Sequence, residues 1–172
     1  MVDVQVTDKR VNKDLKIFRS LQSFQKQYIR SADKTQRLVE RTLPILRDML
    51  KFDDAVCIRI ACIKARNVNG YYNHKTKIAE IDFRIINNMS ILRVLAHELV
   101  HAEQYHQGRL VNTWDDRKNR YRFEWYGEKT NQGTTYKAYR NQPHEVEAWS
   151  RQESLAWDVV AELQRQGDKT FL

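Results

Sequence analysis

The sequence predicts an α+β fold, and three observations point to it. Apolar residues recur at three- and four-residue steps in the N-terminal third, and helix-start signals precede 91–107 and 143–166. A β-branched run fills 55–63 and is followed by two shorter strand-like stretches. These signals come in runs (two helices, a small sheet, a helix, an irregular segment, a helix) and not in βαβ alternation. With 172 residues, 41% apolar and 30% charged, the chain is long enough to bury its own core. One domain over 1–172 is expected, with an N-terminal helical part at 1–51 and a core at 55–166.

Residues 1–11 are predicted as a loose or strand-like arm. Leu15, Phe18, Leu21, Phe24 and Tyr28 then mark a first amphipathic helix, and Leu38, Thr42, Ile45, Leu46 and Met49 a second. Pro44 is expected to kink or restart that second helix, with Thr42 as its cap. The run Ala55 to Ile63 reads as a buried strand. Asn67-Val68-Asn69-Gly70 turns the chain, and 71–73 and 77–83 follow as short antiparallel strands. Ser90 is expected to cap a helix over 91–107, stopped by Gly108 at C′. The polar, aromatic stretch 109–140 reads as irregular, with 121–126 a candidate strand. Pro143 opens a last helix that runs to about residue 166.

Thirty Lys and Arg against 22 Asp and Glu give a net charge of +8. The excess is uneven: residues 1–51 hold 12 basic and 6 acidic side chains, and 141–172 hold 3 and 6. A basic N-terminal third is compatible with a nucleic-acid or acidic protein partner, or with a solvated helix face, since the charges are interspersed. No apolar run approaches the ~20 residues that span a bilayer, so no membrane partner is expected. The opening Met1-Val2-Asp3-Val4-Gln5 has the character of no secretory leader. Cys57 and Cys62, five apart on one strand, face opposite sides and are expected to stay thiols in a reducing, cytoplasmic compartment.

The segment that carries chemistry is Ala96-His97-Glu98-Leu99-Val100-His101-Ala102. Residues four apart share a helix face, so His97 and His101 can aim two imidazoles at one metal ion. Glu98 lies about 100° further round, beside that metal, where a carboxylate can take a proton from a bound water. An open catalytic site needs a third protein ligand. His106 stands five residues after His101 and reads as a surface residue near the helix end, and Gln107 occupies the position of a third histidine in the extended motif. The better candidates lie in Pro143-His144-Glu145-Val146-Glu147-Ala148-Trp149. Glu145 shares a face with Ala148, Trp149, Gln152 and Ala156, which can pack on the motif helix. It is preferred over Glu147, which falls among Ser150, Arg151 and Ser154, and over His144.

On these residues the chain resembles the zincin superfamily of metallopeptidases, in its gluzincin-like branch. More narrowly, it is similar to small zincin-like proteins of phages and bacteria. In those, the H-E-x-x-H helix is followed by a Trp-x-Gly turn, a Tyr and a P-x-E-x-E-A helix. Here these are Trp125-Tyr126-Gly127, Tyr139 or Tyr136, and Pro143 through Ala148. The resemblance covers roughly 55–160. It implies a small twisted, mostly antiparallel sheet over an active-site helix, with a second, ligand-bearing helix. It implies one zinc per chain on His97, His101 and Glu145, with Glu98 as general base. In several zincins the ligand Glu stands three residues before an Ala, as Glu145 does before Ala148. A Tyr upstream of that Glu often steadies the oxyanion, and Tyr139 matches best. The N-E-x-x-x-D pattern is not reproduced, because Trp149 follows Ala148.

The activity implied is zinc endopeptidase action on a protein or peptide, in the host cytoplasm for a phage-encoded chain. The strand around 77–83 is expected to offer an open edge to an extended substrate. The aromatics of 110–126 are expected to form either the facing wall or a satellite core. Two rival functions remain open at this level. One is a Spartan-like protease acting on DNA-bound proteins. The other is a basic nucleic-acid- or protein-binding module on a zincin scaffold with little or no proteolysis.

Overall fold

The computed structural model describes the chain at residues 22–64, 68–115, 120–130, 135–169 and 171. The expected arm over 1–11 lies outside these residues, as do Leu15, Phe18 and Leu21 of the first expected helix and Asn67 of the expected turn.

From Gln22 onward there is one helix where two were expected: α1 (Gln22–Leu50) runs unbroken through Pro44. Proline removes one helix hydrogen bond and crowds the preceding turn, a cost of about 3 kcal/mol in a helix interior. Burial on both sides of it outweighs that cost, because Leu38, Val39, Leu43, Leu46 and Leu50 all sit in the core. Pro44 itself is exposed, so water can reach the carbonyl left without a donor. Thr42 is no cap. It is buried mid-helix, and its hydroxyl donates to the Leu38 carbonyl at 2.8 Å. The exposed face of α1 mixes Arg30, Lys34, Arg37 and Arg41 with Asp33, Glu40 and Asp48.

A first sheet holds β1 (Cys57–Ala61), β2 (Gly70–Asn73) and β3 (Ile78–Asp82) in the order β1–β3–β2. The β2–β3 pair is antiparallel, as expected, while β1 and β3 run parallel. The Asn73 side chain accepts from the Lys75 and Thr76 amides and folds β2 tightly back on β3. That hairpin leaves β1 only the far side of β3. The segment expected to present an open edge is therefore the central strand, and β2 holds the outer position. Ile58, Ile60, Ala79 and Ile81 are buried on one face, and on the other Arg59 bonds Glu80 at 2.8 Å. Cys57 and Cys62 form no disulfide.

Helix α2 (Asn88–His106) is the centre of the molecule. It starts earlier than expected: Asn87 is the cap, and its side chain accepts from the Ser90 amide at 3.1 Å. It ends as expected at Gly108, where the Gly108 and Arg109 amides return to the Tyr105 and Gln104 carbonyls. Along its length Ile91, Leu92, Leu95, Ala96, Leu99 and Val100 are fully buried, because α2 packs on the first sheet, on α1 and on the last helix.

The described residues of the stretch expected to be irregular are mostly in regular elements. They form an antiparallel sheet of β4 (Leu110–Asp115), β5 (Arg120–Trp125) and β6 (Glu128–Lys129), then a short helix α3 (Tyr136–Arg140). Tyr126 and Gly127 join β5 to β6 with φ of 50° and 80°, the double positive φ of a two-residue hairpin turn, which glycine takes without cost. The last helix, α4 (Pro143–Arg165), opens at Pro143 as expected and buries Ala148, Leu155, Ala156, Val159 and Leu163. The class is α+β, with small, antiparallel-rich sheets. Among the described residues no helix is long and apolar enough to cross a membrane.

Candidate metal centre

His97 and His101 lie one turn apart on α2, with rings edge to face at 4.7 Å between centroids. Their Nε2 atoms are 3.1 Å apart. Glu145, in the first turn of α4, is the buried side chain that meets them. Its Oε1 is 3.3 Å from His101 Nε2 and its Oε2 3.4 Å from His97 Nε2. The contact rests on Ala148, fully buried one turn further along α4, which lets the two helices approach. His97, His101 and Glu145 thus form a buried group that can hold a metal ion. Their spacing suits one: donors at about 2.0–2.1 Å from a common tetrahedral centre stand about 3.3 Å from each other.

The electrostatics point the same way. Burial alone would raise the Glu145 carboxyl, yet hydrogen bonds from His101, His97 and Tyr139 hold it well below the usual range. Burial lowers His101, but Glu145 and Glu98 outweigh that and hold its imidazolium above its ordinary value. Glu98 is also buried, and its pKa is raised, first by that burial, against the lowering influence of His101 and His97. Among the described residues no Lys or Arg pairs with either carboxylate. Buried charge is costly unless compensated, and a bound cation would take over that role from the His101 imidazolium.

Each ligand is positioned by what lies behind it. His101 Nδ1 lies 2.8 Å from Gln104 Oε1, so the amide oxygen accepts the Nδ1–H hydrogen bond and leaves the Nε2 lone pair free for a metal. Gln104 is fully buried and donates in turn to the His144 carbonyl at 3.0 Å and to Glu147 at 3.1 Å. His97 packs against Trp149, with ring centroids 5.0 Å apart. Glu98 accepts the Tyr72 backbone amide from β2. This close approach needs Gly70: a Cβ there would meet Val94 Cγ1 at 2.6 Å and Glu98 Oε1 at 3.1 Å.

The other candidates fall elsewhere. Glu147 faces away from the group and is held by Gln104, Arg109 and Arg151. His144 is buried against Phe123, with Nε2 3.9 Å from Glu145, and burial pushes its pKa down to about 4. Tyr139 donates to Glu145, whereas Tyr136 is largely exposed on the rim. His106 is exposed and faces Asp54 at 3.6 Å. Sequence reasoning missed Gln104. Its one signal was its place three residues after His101, on the same helix face.

The group opens into a cleft of about 620 Å³. One wall is β2 with the residues before it. The facing side is α3 and the start of α4, with Leu110 and Phe123 of the second sheet. So the aromatic segment contributes Phe123 to the wall, while Trp114 points to solvent. Comparison of the chain with family models, with curated proteins and with solved structures finds no match.

Proposed function

We propose that this chain is a zinc-dependent metallopeptidase of the zincin kind, hydrolysing peptide bonds in a protein or peptide. One observation carries the reading: three donor atoms spaced for a tetrahedral ion, with a further buried carboxylate beside them, in a cleft walled by the outermost strand of a sheet. Two imidazoles and a carboxylate are the donor set of catalytic zinc sites, which leave the fourth position open.

Zinc, when bound, polarises a carbonyl and acidifies a water. The chain's own residues do the rest. Glu98 takes the water's proton on its carboxylate and returns it to the leaving amine. The Tyr72 amide and the burial around Glu98 hold that carboxylate in place. Tyr139 now donates its phenol proton to Glu145 and can turn it toward a developing oxyanion. Gln104 keeps His101 in the tautomer that presents Nε2. An extended peptide pairs with the outer edge of β2, so the substrate strand lies across the site. This moves the docking edge from the 77–83 segment expected from sequence to β2.

The test is metal analysis of protein purified without chelator, together with a Glu98→Gln comparison. About one zinc per chain is expected in both proteins, with peptide hydrolysis only in the parent, since an amide cannot accept the proton. Loss of the carboxylate should cost about 10²–10⁴ in rate. Protein without zinc, or a Glu98→Gln chain that hydrolyses at the parent rate, overturns the proposal.

A further inference from the structure

Among the described residues lining the cleft there is a single Lys or Arg, and it is Arg140. It ends α3 with its guanidinium carbon 4.0 Å from the centroid of the Trp149 ring. Trp149 in turn packs against His97, with centroids 5.0 Å apart. Laid end to end, these distances put the guanidinium within about 9 Å of a metal-ligand imidazole. Stacking on an indole face fixes the guanidinium plane but uses none of its five N–H donors. No described carboxylate pairs with Arg140, although α2 and α4 carry several arginines that are paired: Arg93, Arg151 and Arg165. Of the two carboxylates deep in the cleft, Glu145 is engaged by the histidines and Glu98 by the Tyr72 amide.

We infer that Arg140 is a specificity residue that binds a carboxylate of the substrate one or two residues from the scissile bond. The inference rests on the peptidase reading and adds its substrate class: an acidic peptide. The reach is adequate. A residue adds about 3.3–3.6 Å along an extended chain, and a Glu side chain spans several ångströms more. The planar fork of arginine matches a carboxylate with two parallel hydrogen bonds, a geometry that lysine cannot reproduce. The carboxylate can come from a Glu or Asp side chain or from a free C-terminus, and both present the same chemistry.

The probes are alanine hexapeptides with one Glu moved along the chain. Each is paired with its Gln counterpart, and each is made as free acid and as C-terminal amide. Cleavage is measured with the zinc-loaded parent, and binding by calorimetry with zinc-loaded Glu98→Gln. The expected result is about a tenfold preference for the carboxylate peptide at one position, in cleavage and in binding. A preference tied to the Glu position identifies a side-chain carboxylate, and one tied to free acid over amide identifies the C-terminus. Arg140→Ala should abolish the preference, Arg140→Lys should keep part of it, and Arg140→Glu should reverse it toward peptides carrying Lys. Cleavage with no carboxylate preference, or with one that Arg140→Ala leaves unchanged, overturns the inference and leaves the peptidase reading intact. An Arg140-dependent preference in binding without any cleavage overturns the peptidase reading and keeps the carboxylate subsite. Neither binding nor cleavage overturns both.

Discussion

On one side of the seam between α2 and α4, Glu103 and Glu147 meet Arg109 and Arg151; on the other, Glu98 and Glu145 meet His97 and His101. Both clusters are largely buried and both draw on the same two helices. The first is complete as the protein stands. Two carboxylates face two guanidiniums, with contacts that include Arg151 to Glu147 at 2.9 Å and Arg109 to Glu103 at 3.1 Å. The second lacks a permanent cation. Its two carboxylates, when ionised, are the complement of one divalent ion. Burial of acids on these helices is therefore not the mark of the site. The mark is burial that the protein's own arginines leave uncompensated.

The sharpest way to break this contrast is to remove one acid from each cluster in metal-free protein. Glu103→Gln strands Arg109 and Arg151 beside a single carboxylate. It should cost about 3–5 kcal/mol of stability, the usual penalty for breaking a buried ion pair. Glu145→Gln removes a carboxylate that has no Lys or Arg partner but is held by His97, His101 and Tyr139; it should cost stability, though less than Glu103→Gln does. Urea unfolding of both variants decides it. If Glu145→Gln loses as much as Glu103→Gln, the second cluster is an ordinary structural network.

Adding metal should narrow the gap between the two variants. An ion that binds only the folded chain stabilises it by about 2.7 kcal/mol at a hundredfold excess over Kd. Thermal unfolding with zinc and with chelator should therefore separate in the parent and in Glu103→Gln, by the same increment. The separation should nearly vanish in Glu145→Ala and persist in Glu147→Ala. An equal loss in both α4 variants would mean that Glu147 also reaches the ion.

The two clusters were not equally legible in the sequence. His97 and His101 stand four apart on one helix, so their convergence follows from local geometry, and Ala148 marks the face of α4 that carries Glu145 inward. In the arginine cluster only Glu147 and Arg151, four apart on α4, follow a helix period; its links across the seam join residues 38 to 48 positions apart. Its members looked like ordinary surface charge. The candidate strand at 121–126 was legible, with Arg122 and Glu124 alternating with Phe123 and Trp125, but its partner β4 was not, so the β4–β5 pairing stayed hidden. Strand order was beyond the sequence too. The 71–73 and 77–83 stretches are adjacent in either arrangement, and only the β1–β3 pairing puts β2 outermost. Pro44 misled because a local rule was applied where long-range burial of α1 decides.

Gln104 is where the two clusters touch, and its replacement is the smallest and most specific test. It accepts from His101 Nδ1 and donates to Glu147 at 3.1 Å. Gln104→Leu keeps the approximate volume but leaves the His101 proton without an acceptor, so the imidazole is free to rotate or to change tautomer. Loss of such an outer hydrogen bond typically costs about 10–100-fold in metal affinity. That is the loss expected in a competition titration against a zinc chelator. Gln104→Glu offers His101 a stronger acceptor but places a third carboxylate beside Glu147. It should restore affinity while lowering stability relative to the parent. A structural role alone predicts something else: both variants would lose stability together, and affinity would follow the fraction folded. If Gln104→Leu binds zinc as the parent does while folded, His101 is oriented by packing against His97 and His144, and the two clusters are neighbours without being coupled.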